Sequence, residues 1–248
     1  MEALKEIGNI LVWLNTYKEA TNCKGVVLGI SGGKDSTVVA MLAKKIWGDN
    51  VFGVMMPNGD QKDIHDSFDI VRKLKLKHCV VDIEHAFAAI CGDIQVGIGQ
   101  KVSDKALTNV PPRLRMTTLY AIAQTLGYRV IGTGNLSEAY VGWTTKWGDS
   151  AYDFNPIAHL TCTEVMEIGK ELANEFGLPQ RFVTKTPSDG LSGKSDEDNF
   201  GFTYEDLDKY IRADSDKVDT LFPTELIDKI AEMHEKSIHK REKPLTMS

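Results

Sequence analysis

Ser31-Gly32-Gly33-Lys34-Asp35-Ser36 stands between an apolar run at residues 26–30 and a segment of helical periodicity, TVVAMLAKKIW. A strand, a glycine turn and a helix start together make an anion site. The first N–H groups of a helix have no intrahelical partner, and the helix dipole favours negative charge there. Gly32 and Gly33 allow positive φ and close approach of backbone to ligand. Ser31, Ser36 and Thr37 add hydroxyls, and Lys34 adds a cation. Asp35 changes the chemistry: a carboxylate inside a phosphate site repels its ligand unless a cation lies between them. It therefore points to Mg²⁺, a hard ion that takes carboxylate and phosphate oxygens. A bare S-G-G beside a helix start is ordinarily a capped turn, but S-G-G-x-D-S after a buried strand is more specific. It also differs from the G-x-x-x-x-G-K-[ST] loop that holds a transferable γ-phosphate.

The elements around this loop set where the chemistry can happen. An amphipathic N-terminal helix precedes β-type runs at 24–30, 50–57, 78–84 and 128–135, with helical segments between them, the last of these at 114–127. That alternation predicts an α/β fold, a doubly wound parallel sheet with helices on both faces. Parallel sheets place ligands at the carboxyl ends of their strands, where SGGKDS and GTGNLSE both fall. Beyond residue 150 the pattern turns to helix and loop. A helix closes at Gly177, a long polar stretch follows, and C-terminal helices occupy about 203–241. No repeat or linker divides the 248 residues, so a single domain is expected, with its core at about 24–160.

Composition excludes some functions. A formal net charge of −6 argues against a general nucleic-acid binder, and no apolar stretch reaches membrane-spanning length. The early acidic residues do not make a signal peptide. Cys23, Cys79, Cys91 and Cys162 lack metal-ligand spacing, which fits reduced thiols in a cytoplasmic protein.

SGGKDS resembles the pyrophosphate loop of the ATP pyrophosphatase superfamily, whose members split ATP between the α- and β-phosphates and adenylylate an oxygen. NVPPRLRMTTLYAIAQ, VIGTGNLSEAYVGWTTKWGDSAYDFNPIAHL, KTPSDGL and SDEDNFGFTYEDLDKYI, in that order, are similar to ammonia-dependent NAD synthetases, from about residue 4 to residue 241. The resemblance implies an adenine nucleotide α-hydrolase-like fold and a homodimer with its substrate site across the interface. It implies that ATP activates the nicotinate carboxylate of deamido-NAD and that ammonia displaces AMP, giving NAD.

By the same resemblance, Gly29, Ile30, Ser31, Gly32, Gly33, Lys34, Asp35, Ser36, Thr133 and Ser188 contact ATP, and Asp35 and Glu138 hold Mg²⁺. Arg113, Lys146, Asp153, His239 and Lys240 match positions that hold deamido-NAD. Asp149, read from its own chemistry, positions ammonium and takes a proton from it. Read without the family, Glu138 is a helix-start residue, Asp149 a Gly-Asp turn and HKRE a basic helix end. Arg115, two residues from Arg113, is as well read as a structural or interface ion pair.

Where the family commonly has an ATP-contacting lysine, this chain has Cys162, so a substitute cation is expected, with Lys185 and Lys194 as candidates. Only about two dozen residues precede the first strand, too few for an amide-hydrolysing domain, so free or delivered ammonia is the expected nitrogen donor. The stretch 185–201 reads as a lid that excludes water from an acyl-adenylate. Two rival functions remain open: another acceptor within the superfamily, as in tRNA thiolation or GMP amination, and a nucleotide-binding regulatory module without catalysis.

Overall fold

The computed structural model describes residues 2–61, 64–185 and 195–247. It begins with α1 (Ala3–Thr21), followed by β1 (Val26–Gly29), α2 (Lys34–Trp47), β2 (Val51–Met55), α3 (Ile64–Lys73) and β3 (Lys77–Val80). Then come α4 (Glu84–Ile98), α5 (Asp104–Leu126), β4 (Arg129–Val130), α6 (Leu136–Val141) and α7 (Cys162–Phe176). Short helices α8 (Arg181–Thr184), α9 (Asp196–Phe200) and α11 (Val218–Leu221) alternate with α10 (Tyr204–Arg212) and α12 (Thr224–Lys236), and α13 (Ile238–Arg241) ends the fold.

The strands form one parallel sheet in the order β3-β2-β1-β4, with Val26 opposite Val51 on one side and Arg129 on the other. A parallel bridge from Ile131 to Phe154 extends it past β4. The central strands are apolar because both faces are covered. On one face α1, α2 and α7 pack Leu14, Val38, Met41, Leu42, Ile168 and Leu172 against Leu28 and Ile30. On the other, α5 brings Ala123 and Leu119 against Val27, Val54 and Val130. A third cluster, of Cys162, Phe200, Tyr204, Leu207 and Ile230, joins the C-terminal helices to α6 and α7. This is the doubly wound α/β architecture expected from the alternation of elements.

Three boundaries differ from the sequence reading. Helix α5 begins ten residues before Leu114, capped by Ser103, whose Oγ accepts from Ala106 N at 3.3 Å, and it runs through Pro111 and Pro112. The prolines remove donors to the carbonyls of residues 107 and 108, yet the cap and the packing of Pro111 keep the turn helical. Strand β4 is only two residues long; Ile131 and Gly132 turn to pair with Phe154, and from Thr133 the chain leaves the sheet towards the Asn135 cap of α6. The last helix breaks at Ser237 (φ −100°, ψ 2°), whose hydroxyl donates back to Met233 O at 2.7 Å and His234 O at 3.0 Å.

Candidate active site

The loop after β1 is shaped by its own hydroxyls. Gly32 takes φ +82°, a left-handed conformation that favours glycine, and Gly33 N donates to Ser31 Oγ at 3.2 Å. Ser36 and Thr37 donate to Gly33 O at 3.1 and 2.8 Å. Gly29 and Ile30 continue β1 into the loop, and Ile30 N still donates to Val54 O at 2.9 Å. The free N–H groups at the start of α2 are thus held at the carboxyl end of the sheet.

Lys34 turns its ammonium to Asp35 and Tyr204. Its ammonium is buried, 2.7 Å from Asp35 Oδ2 and 5.7 Å above the Tyr204 ring. Burial pulls its pKa down, but Asp35 and Glu138 outweigh that and hold it well above the usual lysine range. The thiol of Cys162, on the first residue of α7, is pushed up mainly by burial, with Lys34 opposing that rise. Lys34 is therefore the cation whose charge acts on Cys162. Lys185 instead pairs with Asp66 at 3.3 Å, and Lys194 lies outside the described residues.

Asn135 joins the two strand-end loops. Its Nδ2 donates to Asp35 Oδ1 at 3.1 Å, across 100 positions of sequence. Its Oδ1 accepts from Glu138 N at 3.0 Å, and Glu138 Oε2 accepts from Asn135 N at 3.3 Å, closing a capping box. Asp35 and Glu138 are thereby brought close enough to repel. Burial first, and Asp35 second, push the Glu138 carboxyl up to about 8. Two carboxylates whose charges Lys34 only partly compensates suit a hard dication, and Mg²⁺ is characteristically held by one or two carboxylates plus substrate phosphates. Among the described residues, no group of three or more His, Cys, Asp or Glu gathers to hold a metal ion, here or elsewhere, so protein ligands at this pair number two. Asn135 carried no role in the sequence reading, although N-x-x-E at a helix start was a visible capping signal. Thr133 lies between the end of β4 and this cap.

A second cluster lies on the loop after α6. Arg113 Nε and Nη2 both donate to Lys146 O at 3.3 Å. Lys146 Nζ donates to His239 O and sits 5.5 Å over the Trp147 ring. Lys240 Nζ donates to Gly142 O and Thr144 O, each at 2.7 Å. Asp149 Oδ1 accepts from Thr145 N at 2.6 Å, which makes the Gly-Asp turn real without using up the carboxylate. Asp149 keeps an exposed edge, but the protein mass crowding its recess raises its pKa, while Lys240 and Arg115 oppose that rise. Arg113 of α5 and His239 and Lys240 of α13 are thus gathered around the loop that bears Lys146 and Asp149.

Asp153 stands apart from them. Its Oδ2 accepts from Val130 N at 2.7 Å and its N donates to Val130 O at 2.9 Å, so its visible bonds hold β4 in the sheet. Ser188, and residues 186–194 of the expected lid, lie outside the described residues. At the end of β2, Asn58 Oδ1 is a buried acceptor with no hydrogen-bond partner among the described residues.

Comparison with known proteins places these residues in context. The family model described as NAD synthase matches residues 6–244. An NH(3)-dependent NAD(+) synthetase of Carboxydothermus hydrogenoformans is 40% identical, over 94% of this chain and 92% of its own. One from Finegoldia magna is 40% identical over 87% of each. Among solved structures, an NMN synthetase from Francisella tularensis superposes with a TM-score of 0.88 at 32% identity, covering 100% of this chain and 99% of that one. An NH3-dependent NAD synthetase from Campylobacter jejuni, in complex with nitrate, gives a TM-score of 0.80 at 26% identity over 100% of both chains.

Proposed function

The chain belongs to the NAD synthase family, and from that premise we propose that it is a ligase converting deamido-NAD, ATP and ammonia to NAD, AMP and diphosphate. The observation that carries this reading is the Asp35–Asn135–Glu138 junction, which sets a carboxylate pair beside an anion loop. Asp35 and Glu138 would hold Mg²⁺, which when bound supplies positive charge to the departing pyrophosphate.

The loop of residues 31–36 orients the β- and γ-phosphates through its N–H groups and hydroxyls. A nicotinate carboxylate oxygen attacks the α-phosphorus; the bond from that phosphorus to the bridging oxygen breaks, and pyrophosphate leaves with the electron pair. Ammonia then attacks the acyl carbon, the C–O bond to AMP breaks, and Asp149 takes the proton lost by nitrogen. Arg113, Lys146, His239 and Lys240 build the pocket for the nicotinate nucleotide, and Thr133, Ser188 and the loop from Gly29 to Ser36 serve ATP. In that division Asp153 supports β4 and acts on the nucleotide from its exposed edge. Of the expected lid, Asp196–Phe200 form α9, whose Phe200 is buried in the C-terminal cluster.

A second copy of the chain completes the assembly. Helix α4 buries none of its residues and shows Ile90, Ile94 and Ile98, spaced by four, at 42%, 38% and 56% exposure. A stripe of that kind on a helix marks an interface. No described helix is long and apolar enough to cross a membrane, and all four cysteines are free, in keeping with the reducing cytoplasm.

The likeness to an NMN synthetase favours a second reading, the same amidation performed on nicotinic acid mononucleotide. One experiment separates them: kcat/KM for each nucleotide with ATP, Mg²⁺ and ammonium, following AMP and the amide. The main reading expects the dinucleotide to win, and glutamine to fail in place of ammonium. Preference for the mononucleotide would transfer the assignment, and release of neither AMP nor amide from both would end it.

A further inference from the structure

Arg115 has a partner for one nitrogen and an unused fork. Its Nε donates to Met56 O at 3.1 Å, just beyond β2, and neither Nη donates to any described residue. Arg113, two positions away, is spent on Lys146 O. Arg115 is partly buried; burial lowers its pKa while Asp149 opposes that shift, so the carboxylate lies within its electrostatic reach.

Its height in the fold follows from its neighbours on α5. Tyr128, just after the helix, lies against Gly25 at the start of β1. Ala123 packs with Val27 and Val130, and a Cβ placed on Gly29 would meet Leu119 Cδ1 at 3.9 Å. Arg115 lies one further turn along the face of Leu119, about 6 Å beyond the level of Gly29. It therefore overhangs the carboxyl ends of β1 and β2, between the phosphate loop and Asp149. A guanidinium anchored through Nε has a fork fixed in direction, which is the preorganised form of a bidentate oxyanion site.

We infer that Arg115 is a binding residue for the oxyanion at the reacting junction, the substrate carboxylate or the α-phosphate to which it becomes joined. The inference rests on the amidation reading above and names the group that aligns its two reactants. The phosphate loop takes the pyrophosphate that leaves, so the next anion towards Asp149 belongs to the acyl-phosphate bond. Arg115 stays protonated throughout and neutralises the charge that builds on that bond's oxygens.

The test uses the full chain with Arg115→Gln and Arg115→Lys. Calorimetry measures deamido-NAD, NAD and an α,β-methylene analogue of ATP with Mg²⁺. NAD carries an amide where deamido-NAD carries the carboxylate, so their affinity ratio isolates that group. If the fork holds the carboxylate, Arg115→Gln lowers this ratio by about tenfold or more and leaves the analogue unchanged. If it holds the α-phosphate, the analogue weakens by about that factor and the ratio stays. Arg115→Lys, which keeps charge without the fork, is expected to recover only part of either loss. Unchanged binding of all three ligands in Arg115→Gln overturns the inference, and so does an equal loss of all three with a fall in Tm in both variants. Wild-type turnover in parallel reports on the amidation reading itself: an inactive wild type removes that reading, whereas an active wild type with an indifferent Arg115→Gln removes only this one.

Discussion

Glu138 carries an electrostatic cost that Lys34 only partly offsets. Its folded pKa of about 8 lies above the ordinary carboxylate value of roughly 4.3, so the folded protein prefers the protonated form. The stability this gives is complete below the ordinary value and is lost as pH rises through about 8. Glu138→Gln should therefore melt like the parent near pH 4 in EDTA, and a few degrees higher at pH 9. Parallel curves in scanning calorimetry would show that the carboxyl carries no such penalty. Asp149→Asn keeps an oxygen for Thr145 N and removes the charge. It should cut kcat/KM for ammonium by roughly 10²-fold or more while the KM for ATP stays within about twofold, as measured by initial rates. The glycine loop was readable because everything that shapes it lies within a few residues. The direction of Lys34 was not, because Tyr204, Glu138 and Cys162 decide it from distant elements. Nor could spacing separate Arg113 from Arg115: two positions on a helix differ by about 200°, which sends one side chain to Lys146 O and the other to Met56 O.

Helix α6 is only six residues long, yet both its ends do work for the site. Its start holds Asn135 and Glu138, and its end is clamped by the C-terminal helix. Arg241 donates to Ala139 O at 3.2 Å, Tyr140 O at 3.0 Å and His234 O at 2.6 Å, while Lys240 holds the carbonyls of Gly142 and Thr144. Gly142 makes the crossing possible: at φ +70°, a Cβ there would fall 2.0 Å from Ser237 Cβ. Gly142→Ala should lose roughly 2 kcal/mol or more of stability, read from the denaturant midpoint, and loosen the loop bearing Lys146 and Asp149. A midpoint shift under about 0.5 kcal/mol would mean that α12 can move aside. The order of strands and helices was legible from alternating apolar runs. The end of α12 was not, since Ser237 breaks it to fit against Gly142, a contact made across the fold. Likewise the prolines hid the first part of α5, which the Ser103 cap and burial of Pro111 sustain.

At the scale of the molecule, the sheet carries the glycine loop and the Asn135 cap at one end and an uncovered apolar helix at its side. The Ile90, Ile94 and Ile98 stripe on α4 fits burial against a second copy. Ile94→Asp should shift sedimentation from dimer to monomer without lowering the monomer's helicity, and a parent already monomeric at micromolar concentration would refute the interface. In the proposed reaction the anion loop, the Asp35–Glu138 pair and the loop of Asp149 serve one adenylylation followed by one amidation. Isotope transfer tests it most directly. Deamido-NAD labelled with ¹⁸O in its nicotinate carboxylate, turned over with ATP, Mg²⁺ and ammonium, should place one ¹⁸O in the phosphate of AMP and none in pyrophosphate. Label in pyrophosphate, or label retained wholly outside AMP, would contradict it.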